Sequence, residues 1–470
     1  MRKKKKFPDK ARYLSVRNFL FHRGGGCRKI RASDYDVGES RVKKLFLKSS
    51  KKVSLSAVFL LFIFFMVNIY VSIPKSVVIK QGESYKCIFY PFLSEKNVSA
   101  EDIAFDVSKI KQSLSVSGLK PVVFFGDETG VYDLSLSIGP FQIKRMQVKV
   151  IPDLRIIPCG NAVGIKIDMK GVMVAALSEI EIEGKKLHPS KSAGLQIGDV
   201  ILKINGTDVD TAEEFSQKIQ SSGGNTVDIS AERNGRSVNV KITPVYDPAD
   251  MEFKVGMWVR DSASGIGTLS FCYPDEKMFG ALGHGVTDID TGNMVNVGSG
   301  ELVISSITDV KRAERGVPGE LIGSFSSDSM KVGNIFVNNK FGIYGEASED
   351  FLAGINSELL PIATKTQVSE GPAYILSCID GENVEQFKIN IEKVSRNAKD
   401  SNKGMVVKID DENLISRAGG IVQGMSGSPI IQGGKVVGAV THVFVNDPRK
   451  GYATFIDTML DNMGMLPMSE

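Results

Sequence analysis

The apolar stretch at residues 53–73 is the first strong signal in the hydrophobic pattern of the chain. It holds no charged residue and is rich in Phe, Leu, Ile and Val. About 20 such residues cross a bilayer core as a helix, and Lys51 and Lys52 just before the stretch favour a cytoplasmic N-terminus. We therefore expect a transmembrane signal anchor at residues 53–73. A cleavable signal peptide is the alternative, but the preceding region is long and no Ala-x-Ala site follows.

Short alternating segments follow between residues 74 and 158. Short strand-like segments lie at 76–80, 122–125, 132–138 and 142–151, and glycines punctuate them. Period-two alternation that is broken by glycine is typical of β-strands. The pattern predicts a small β-rich domain at residues 74–158. It carries no candidate chemistry, so we expect a role in spacing or in contact with a partner.

Residues 159–245 have a different pattern. Strands are predicted at 163–167, 171–176, 226–233 and 237–243, with a helix at 211–220. The run Ala-Gly-Leu-Gln-Ile-Gly-Asp-Val-Ile-Leu-Lys-Ile-Asn-Gly at 193–206 resembles the signature of PDZ domains. That resemblance implies β-augmentation, in which an extended peptide or protein C-terminus adds a strand beside Val163, Gly164 and Ile165. A domain kept for docking within the chain is the alternative.

The C-terminal part, residues 251–470, reads as many short strands with glycine-marked turns, after a linker at 246–250. About 220 residues of this pattern fit an all-β barrel or sandwich assembly, closed by a short helix at 455–463. The predicted fold class is therefore mostly β, with a transmembrane helix, a β-rich domain and a PDZ domain before the C-terminal domain.

Charge divides the chain into two parts. Residues 1–52 hold 18 Lys and Arg against four Asp and Glu, whereas the whole chain has a net charge of only +4. We predict a mostly disordered, basic cytoplasmic tail at 1–52. No nucleic-acid-binding motif follows, so we expect no nucleic-acid partner. The five cysteines are odd in number and widely spaced, which fits neither a disulfide framework nor a zinc site. We expect no metal and no cofactor.

A candidate nucleophile loop lies at residues 419–431. Ser426 stands in the run Gly-Met-Ser-Gly-Ser-Pro at 424–429. Glycine allows the tight turn that exposes a serine hydroxyl and turns the N–H groups of Gly424 and Ser426 towards an oxyanion. A glycine-rich hairpin turn without chemistry is the alternative for this short motif.

His284 supports the catalytic interpretation. It lies between Gly283 and Gly285 in the same domain, and the chain holds only four histidines. A histidine of near-neutral pKa is the natural base for a serine hydroxyl. The order His then Ser, with glycine-rich loops at both, is that of chymotrypsin-type peptidases, in which the site lies between two β-barrels. His442 is the rival base, although it fits the wall of a substrate pocket equally well.

Three long motifs extend this interpretation. They lie at 258–268, 280–292 and 419–443, and in this order they resemble the stage IV sporulation protein B family of serine peptidases. The resemblance covers about residues 74–470. It implies a membrane-associated serine endopeptidase in the space between the two forespore membranes. Members of that family cleave themselves, and they cleave a membrane-bound regulator of an intramembrane protease that leads to activation of a late mother-cell sigma factor. Their PDZ domain contacts partners and controls self-cleavage.

The acid member of the triad comes from the resemblance alone. It points to Asp411, in the segment that leads into the nucleophile loop, whereas chymotrypsin-type spacing would place an aspartate much further upstream. The resemblance therefore implies a Ser426, His284 and Asp411 triad that acts on a protein substrate in or near a membrane. Two alternatives remain open: a non-catalytic PDZ scaffold and a general envelope quality-control protease.

Overall fold

The computed structural model describes residues 57–65, 67–68, 70–71, 73–87, 103–107, 113–115, 122–138, 141–326, 328–396, 398 and 400–466. Contacts divide the chain into two compact units, 1–68 and 69–470. The predicted basic tail at 1–52 lies outside the described residues, and so does part of the predicted anchor at 53–73.

Residues 57–65, 67–68 and 70–71 are helical. Asn68 donates its side-chain amide to the carbonyl of Phe64, one turn earlier. Among the residues that the structure describes, no helix has both the length and the apolar character needed to cross a membrane.

Among the described residues, eight strands lie in the predicted β-rich segment at 74–158. Four of them, β1, β7, β6 and β4, form one sheet, and β2, β5 and β3 form a second. The eighth strand, β8, joins the sheet of the following domain. The strands are β1 (Ser76–Lys80), β2 (Ser84–Cys87), β3 (Ile103–Asp106), β4 (Ser113–Ser115), β5 (Val122–Phe125), β6 (Gly130–Ile138), β7 (Phe141–Ile151) and β8 (Arg155–Pro158).

The PDZ unit is built on the second half of the long strand β9. Its sheet runs β15-β14-β12-β9. The helix α2 begins at the cap residue Thr211, whose hydroxyl accepts the N–H of Glu214, and it buries Phe215 and Ile219 one turn apart. The elements are β9 (Ala162–Leu177), β10 (Ile180–Ile182), β11 (Lys185–Leu187), α1 (Pro189–Ala193), β12 (Val200–Ile204), β13 (Thr207–Asp208), α2 (Ala212–Ser221), β14 (Val227–Arg233), β15 (Arg236–Ile242), β16 (Val245–Asp247) and β17 (Glu252–Lys254).

A first ring of strands follows. The pairings run from β9 through β20, β23, β24, β19 and β18 and return to β9. The apolar side chains of the strands meet inside this ring, where Leu269, Phe279, Leu302 and Ile343 are fully buried. The elements are β18 (Met257–Tyr273), β19 (Met278–Ala281), β20 (Val297–Ile304), β21 (Ser306–Lys311), β22 (Glu320–Ser324), β23 (Lys331–Asn339), β24 (Gly342–Ala347), α3 (Glu349–Gly354) and β25 (Leu360–Pro361), with a 3₁₀ turn at Pro274–Glu276.

The C-terminal strands close into a six-stranded barrel in the order β26-β27-β28-β31-β30-β29. Ile375, Ile391, Met405 and Val440 are among its fully buried core residues. The elements are β26 (Gly371–Cys378), β27 (Val384–Val394), β28 (Met405–Ile409), α4 (Glu412–Ala418), β29 (Pro429–Gln432), β30 (Lys435–Phe444), β31 (Asp447–Phe455) and α5 (Ile456–Asn462), with a 3₁₀ turn at Ser401–Lys403.

The first half of β9 corrects the predicted peptide-binding edge. Gly164 pairs with Ile266 of β18 on one side and with Val303 of β20 on the other. Val163 and Ile165 are paired in the same way and are buried in the first ring. An incoming peptide needs an unpaired strand edge. The edge expected at Val163, Gly164 and Ile165 is therefore already occupied on both sides, by β18 and β20.

Candidate active site

A cleft of about 780 Å³ lies between the first ring and the C-terminal barrel. Gly265 and His284 line it from the ring, and Ser426, His442 and Tyr452 line it from the barrel. The structure thus brings together the two residues that were predicted as base and nucleophile, although they are 142 positions apart in the sequence.

Two consecutive turns shape the nucleophile loop. Met425 donates its N–H to the carbonyl of Val422, and Ser428 donates its own to Met425. Gly427 has φ +100°, and a Cβ there would stand 2.1 Å from the carbonyl oxygen of Thr268, so only glycine fits. The close approach of these two backbones explains why the sequence has glycine directly after the serine.

Thr268 of β18 fastens the loop to the first ring. Its hydroxyl donates to the carbonyl of Gly424 at 2.7 Å, and its N–H donates to the carbonyl of Ser426 at 3.0 Å. In the part of the chain that the structure describes, neither the N–H of Gly424 nor that of Ser426 donates to a backbone carbonyl. Both N–H groups are therefore left for a ligand oxygen, as an oxyanion hole requires.

The hydroxyl of Ser426 is only partly exposed and already has an acceptor. It donates a hydrogen bond of 2.7 Å to the main-chain carbonyl of Thr441, on the neighbouring strand β30. The sequence carries no signal for this contact, because the acceptor is a backbone atom whose position depends on how β29 and β30 pair. In this state the Ser426 hydroxyl is not activated for attack, because its proton points to a backbone carbonyl, which cannot act as a general base.

His284 is held in one tautomer by its own loop. Its Nδ1 lies 3.0 Å from the carbonyl oxygen of Gly285, an oxygen that can only accept, so Nδ1 carries the proton and Nε2 is free to act as a base. Burial lowers the pKa of His284 below its ordinary value, and the Gly285 carbonyl opposes this only in part. The imidazole is therefore neutral at pH 7, as a general base must be.

His442 lies beside His284, with ring centroids 5.0 Å apart. Desolvation in the cleft, and then the neighbouring charges of His284 and Lys403, lower the pKa of His442 to about 4. The carbonyl that holds Ser426 belongs to the residue just before it, Thr441. His442 thus lines the cleft beside His284, a position that fits either of the two roles open to it from the sequence.

Asp411 is placed elsewhere. It is the N-cap of α4, where its Oδ1 accepts the N–H groups of Asn413 and Leu414, and its Oδ2 accepts the N–H of Lys388. It does not line the cleft. The structure therefore brings Ser426 and His284 together but not Asp411, and the carbonyl of Gly285 takes the position beside Nδ1 that a triad carboxylate would occupy.

Charged groups that the sequence did not single out also line the cleft. Asp400 pairs with Lys340 at 3.0 Å and with Lys403 at 3.5 Å, and all three line the cleft near His442. Among the described residues, no group of three or more His, Cys, Asp or Glu could hold a metal ion.

Two family profiles match this chain. Residues 251–460 match the SpoIVB peptidase S55 family, and residues 189–233 match the PDZ domain. The first match begins six residues before β18 and includes His284 and Ser426.

Among curated proteins, the zinc metalloprotease RasP of Shouchella clausii (strain KSM-K16) is 40% identical over 70 residues, which is 15% of this chain and 16% of that protein. The chain thus spans about a sixth of the length of that relative.

Two solved structures are similar in part. The PDZ domain of an SdrC-like protein from Listeria monocytogenes is 22% identical, with 20% of this chain and 90% of that chain covered and a TM-score of 0.16. The active form of the Rv3671c protease from M. tuberculosis is 15% identical, with 44% and 78% covered and a TM-score of 0.25.

The family match therefore agrees with the arrangement of the cleft. Residues 251–460 thus match a SpoIVB peptidase S55 domain, and a match to the PDZ domain at 189–233 precedes it.

Proposed function

We propose that this protein is a membrane-associated serine endopeptidase of sporulation signalling, with Ser426 as nucleophile and His284 as base. One observation carries the assignment of roles: both residues line one cleft, between a ring and a barrel of six strands each, as in a chymotrypsin-like double barrel. The match to the SpoIVB peptidase family supports the link to sporulation.

The chemistry follows from the geometry of the loops. A substrate carbonyl enters the cleft, and the Ser426 hydroxyl turns from Thr441 towards Nε2 of His284. His284 takes the proton as Ser426 Oγ bonds to the carbonyl carbon, and the N–H groups of Gly424 and Ser426 stabilise the oxyanion. The imidazolium then returns the proton to the leaving amine. Water then attacks the acyl-enzyme with the same proton transfers through His284, which releases the product acid and free Ser426.

The biological part of the proposal rests on the family resemblance. The protein is anchored by residues 53–73 with its catalytic part outside the cytoplasm, in the space between the forespore membranes. It cleaves itself, and it cleaves a membrane-bound regulator of an intramembrane protease, which leads to activation of a late mother-cell sigma factor. The PDZ domain supplies the surface that recruits protein or peptide partners.

The test combines labelling and cleavage. The full chain and its Ser426→Ala variant are treated with a fluorophosphonate probe, then incubated with a candidate membrane substrate, and the products are identified by mass spectrometry. Ser428→Ala is the matched control, because that serine lies in the same loop but is fully buried against Ser377. We expect labelling and cleavage in wild type and control, and neither in Ser426→Ala.

Three results would replace the proposal. Full cleavage by Ser426→Ala would show that another residue is the nucleophile. Binding of the membrane protein without labelling or cleavage would favour the non-catalytic PDZ scaffold. Cleavage of unfolded casein as fast as that of the membrane substrate would favour a general quality-control protease.

A further inference from the structure

Arg260 joins the PDZ unit to the loop that follows His284. It lies on β18 opposite Met173 of β9, whose neighbours Val172 and Val174 belong to the buried PDZ core. From there its guanidinium reaches Asp288 at 2.5 Å through one terminal nitrogen, while the other terminal nitrogen reaches the neighbouring Asp290 at 2.6 Å.

Asp288 is the centre of that loop. Its side chain is completely buried, and its second oxygen accepts the N–H groups of Asp290 and Thr291 and the hydroxyl of Thr291. A buried carboxylate is costly unless it is paired and hydrogen-bonded. Arg260 supplies the opposite charge, so the folded shape of residues 288–291 depends on a residue that the PDZ sheet positions.

The loop also sets the position of His284. Val286 donates to and accepts from the side-chain amide of Asn338, which ties the first part of the loop to β23. The orienting acceptor of His284 is the carbonyl of Gly285, the residue between the base and this tie. A shift of residues 286–291 therefore moves the carbonyl that selects the imidazole tautomer.

Two more contacts connect the same partners. The hydroxyl of Thr291 lies 3.5 Å from the sulfur of Met173. Gly198, in the PDZ signature, packs so closely against Asn293 that a Cβ on it would stand 2.4 Å from the Asn293 amide nitrogen. Among the described residues, these two contacts link the PDZ unit to the loop after His284, beside the charged pair that Arg260 of β18 forms with Asp288.

We propose that Arg260 is a positioning residue for His284: through Asp288 it makes the orientation of the catalytic base depend on the PDZ sheet. The proposal rests on the function proposed above, because it takes His284 as the base. A partner that tilts the PDZ unit on the ring changes the reactivity of Ser426 without entering the cleft.

The test compares two arginines in similar settings. Arg233 pairs with Asp199, whose side chain is also completely buried, but this pair lies entirely within the PDZ unit. Arg260→Gln, Arg260→Lys and Arg233→Gln are made in the full chain. The rate of fluorophosphonate labelling is divided by the folded fraction, and the imidazole signals of His284, assigned with His284→Gln, are recorded by NMR.

We expect Arg260→Gln to label at least about tenfold more slowly per folded molecule and to shift the His284 signals, with partial recovery in Arg260→Lys. Arg233→Gln should keep wild-type values of both. Equal labelling rates and unchanged His284 signals in Arg260→Gln and Arg233→Gln would overturn the proposal. If wild type itself is not labelled, the proposed function fails, and the NMR comparison alone decides whether Arg260 positions His284.

Discussion

The hydroxyl of Ser426, in the loop before β29, donates a hydrogen bond of 2.7 Å to the carbonyl oxygen of Thr441 in β30. His442 follows Thr441 directly, and its ring lies 5.0 Å from that of His284. Ser426, the proposed nucleophile, is therefore hydrogen-bonded to the same strand that carries His442. Because both imidazoles lie in the cleft, their roles are separated by the effect of each substitution on activity.

The first prediction separates these two histidines. His284→Gln should lower kcat/KM by about 10⁴-fold or more, since loss of the base of a serine peptidase has effects of that size. His442→Gln should lower it by less than about tenfold, because a wall residue contributes to substrate binding and not to proton transfer. Single-turnover cleavage of one peptide by both variants measures the two losses of kcat/KM. A larger loss in His442→Gln would identify His442 as the base and His284 as the wall residue.

The pH dependence gives a second prediction. Burial lowers the pKa of His284 below its ordinary value near 6.5, and only the neutral imidazole can accept the serine proton. Activity should thus persist as the pH falls through 6.5 and be lost only as it passes the lowered pKa. The acid limb of kcat/KM against pH reports this value for the free enzyme. A midpoint at or above 6.5 would contradict the structure.

His442→Gln is the control for that profile. Desolvation, and then the charge of His284, lower the pKa of His442 to about 4. His442→Gln should keep an acid limb in the profile, because His284 still titrates in this variant, whereas His284→Gln removes the proposed base.

Thr268 supports the oxyanion loop from the opposite ring, which gives a third prediction. Thr268→Val keeps the shape of the side chain but removes the hydroxyl that donates to Gly424. An unsatisfied buried carbonyl costs about 1–3 kcal/mol, so the free energy of unfolding should fall by that amount, and labelling of Ser426 should slow. Urea unfolding and labelling measure both, with Thr268→Ser as the control that keeps the hydroxyl. Wild-type behaviour of Thr268→Val would show that the contact is not needed.

Asp411 gives a fourth prediction. Because its carboxylate caps α4, Asp411→Ala should lower the free energy of unfolding by about 0.5–2 kcal/mol. Asp411→Asn should lower it less, since asparagine is an equally good N-cap, although its amide nitrogen cannot accept the N–H of Lys388. Thermal unfolding checks this order. Activity of the Asn variant per folded molecule then tests the role implied by the family resemblance: a large loss of kcat would mean that Asp411 reaches His284 in another conformation.

Much of the site could be recognised from local sequence. The candidate nucleophile loop could be predicted because tight turns and close backbone contacts require glycine at Gly424 and Gly427. This requirement is visible in the residue type at each position. His284 could be predicted as the base because it lies between two glycines and because the chain has only three other histidines. The mostly β fold followed from period-two alternation, and the PDZ match at 189–233 includes the whole signature quoted from the sequence at 193–206.

The pairing of strands was decided only by the tertiary structure. Alternation of apolar and polar residues shows which face of a strand is buried, but not which edge is paired. The run at Val163–Ile165 therefore looked like a free PDZ edge, whereas β18 and β20 cover both of its sides.

The same limit applies to side chains that act across long distances. Nothing near Asp411 in the sequence distinguishes a helix cap from a triad acid, and nothing near Arg260 shows that Asp288 lies opposite, 28 positions on. The sequence by itself determined the loops that present Ser426 and His284, because backbone conformation there depends on neighbouring residues. The tertiary structure alone decided which carbonyls, charges and strand edges surround them, because those contacts depend on how distant strands pair.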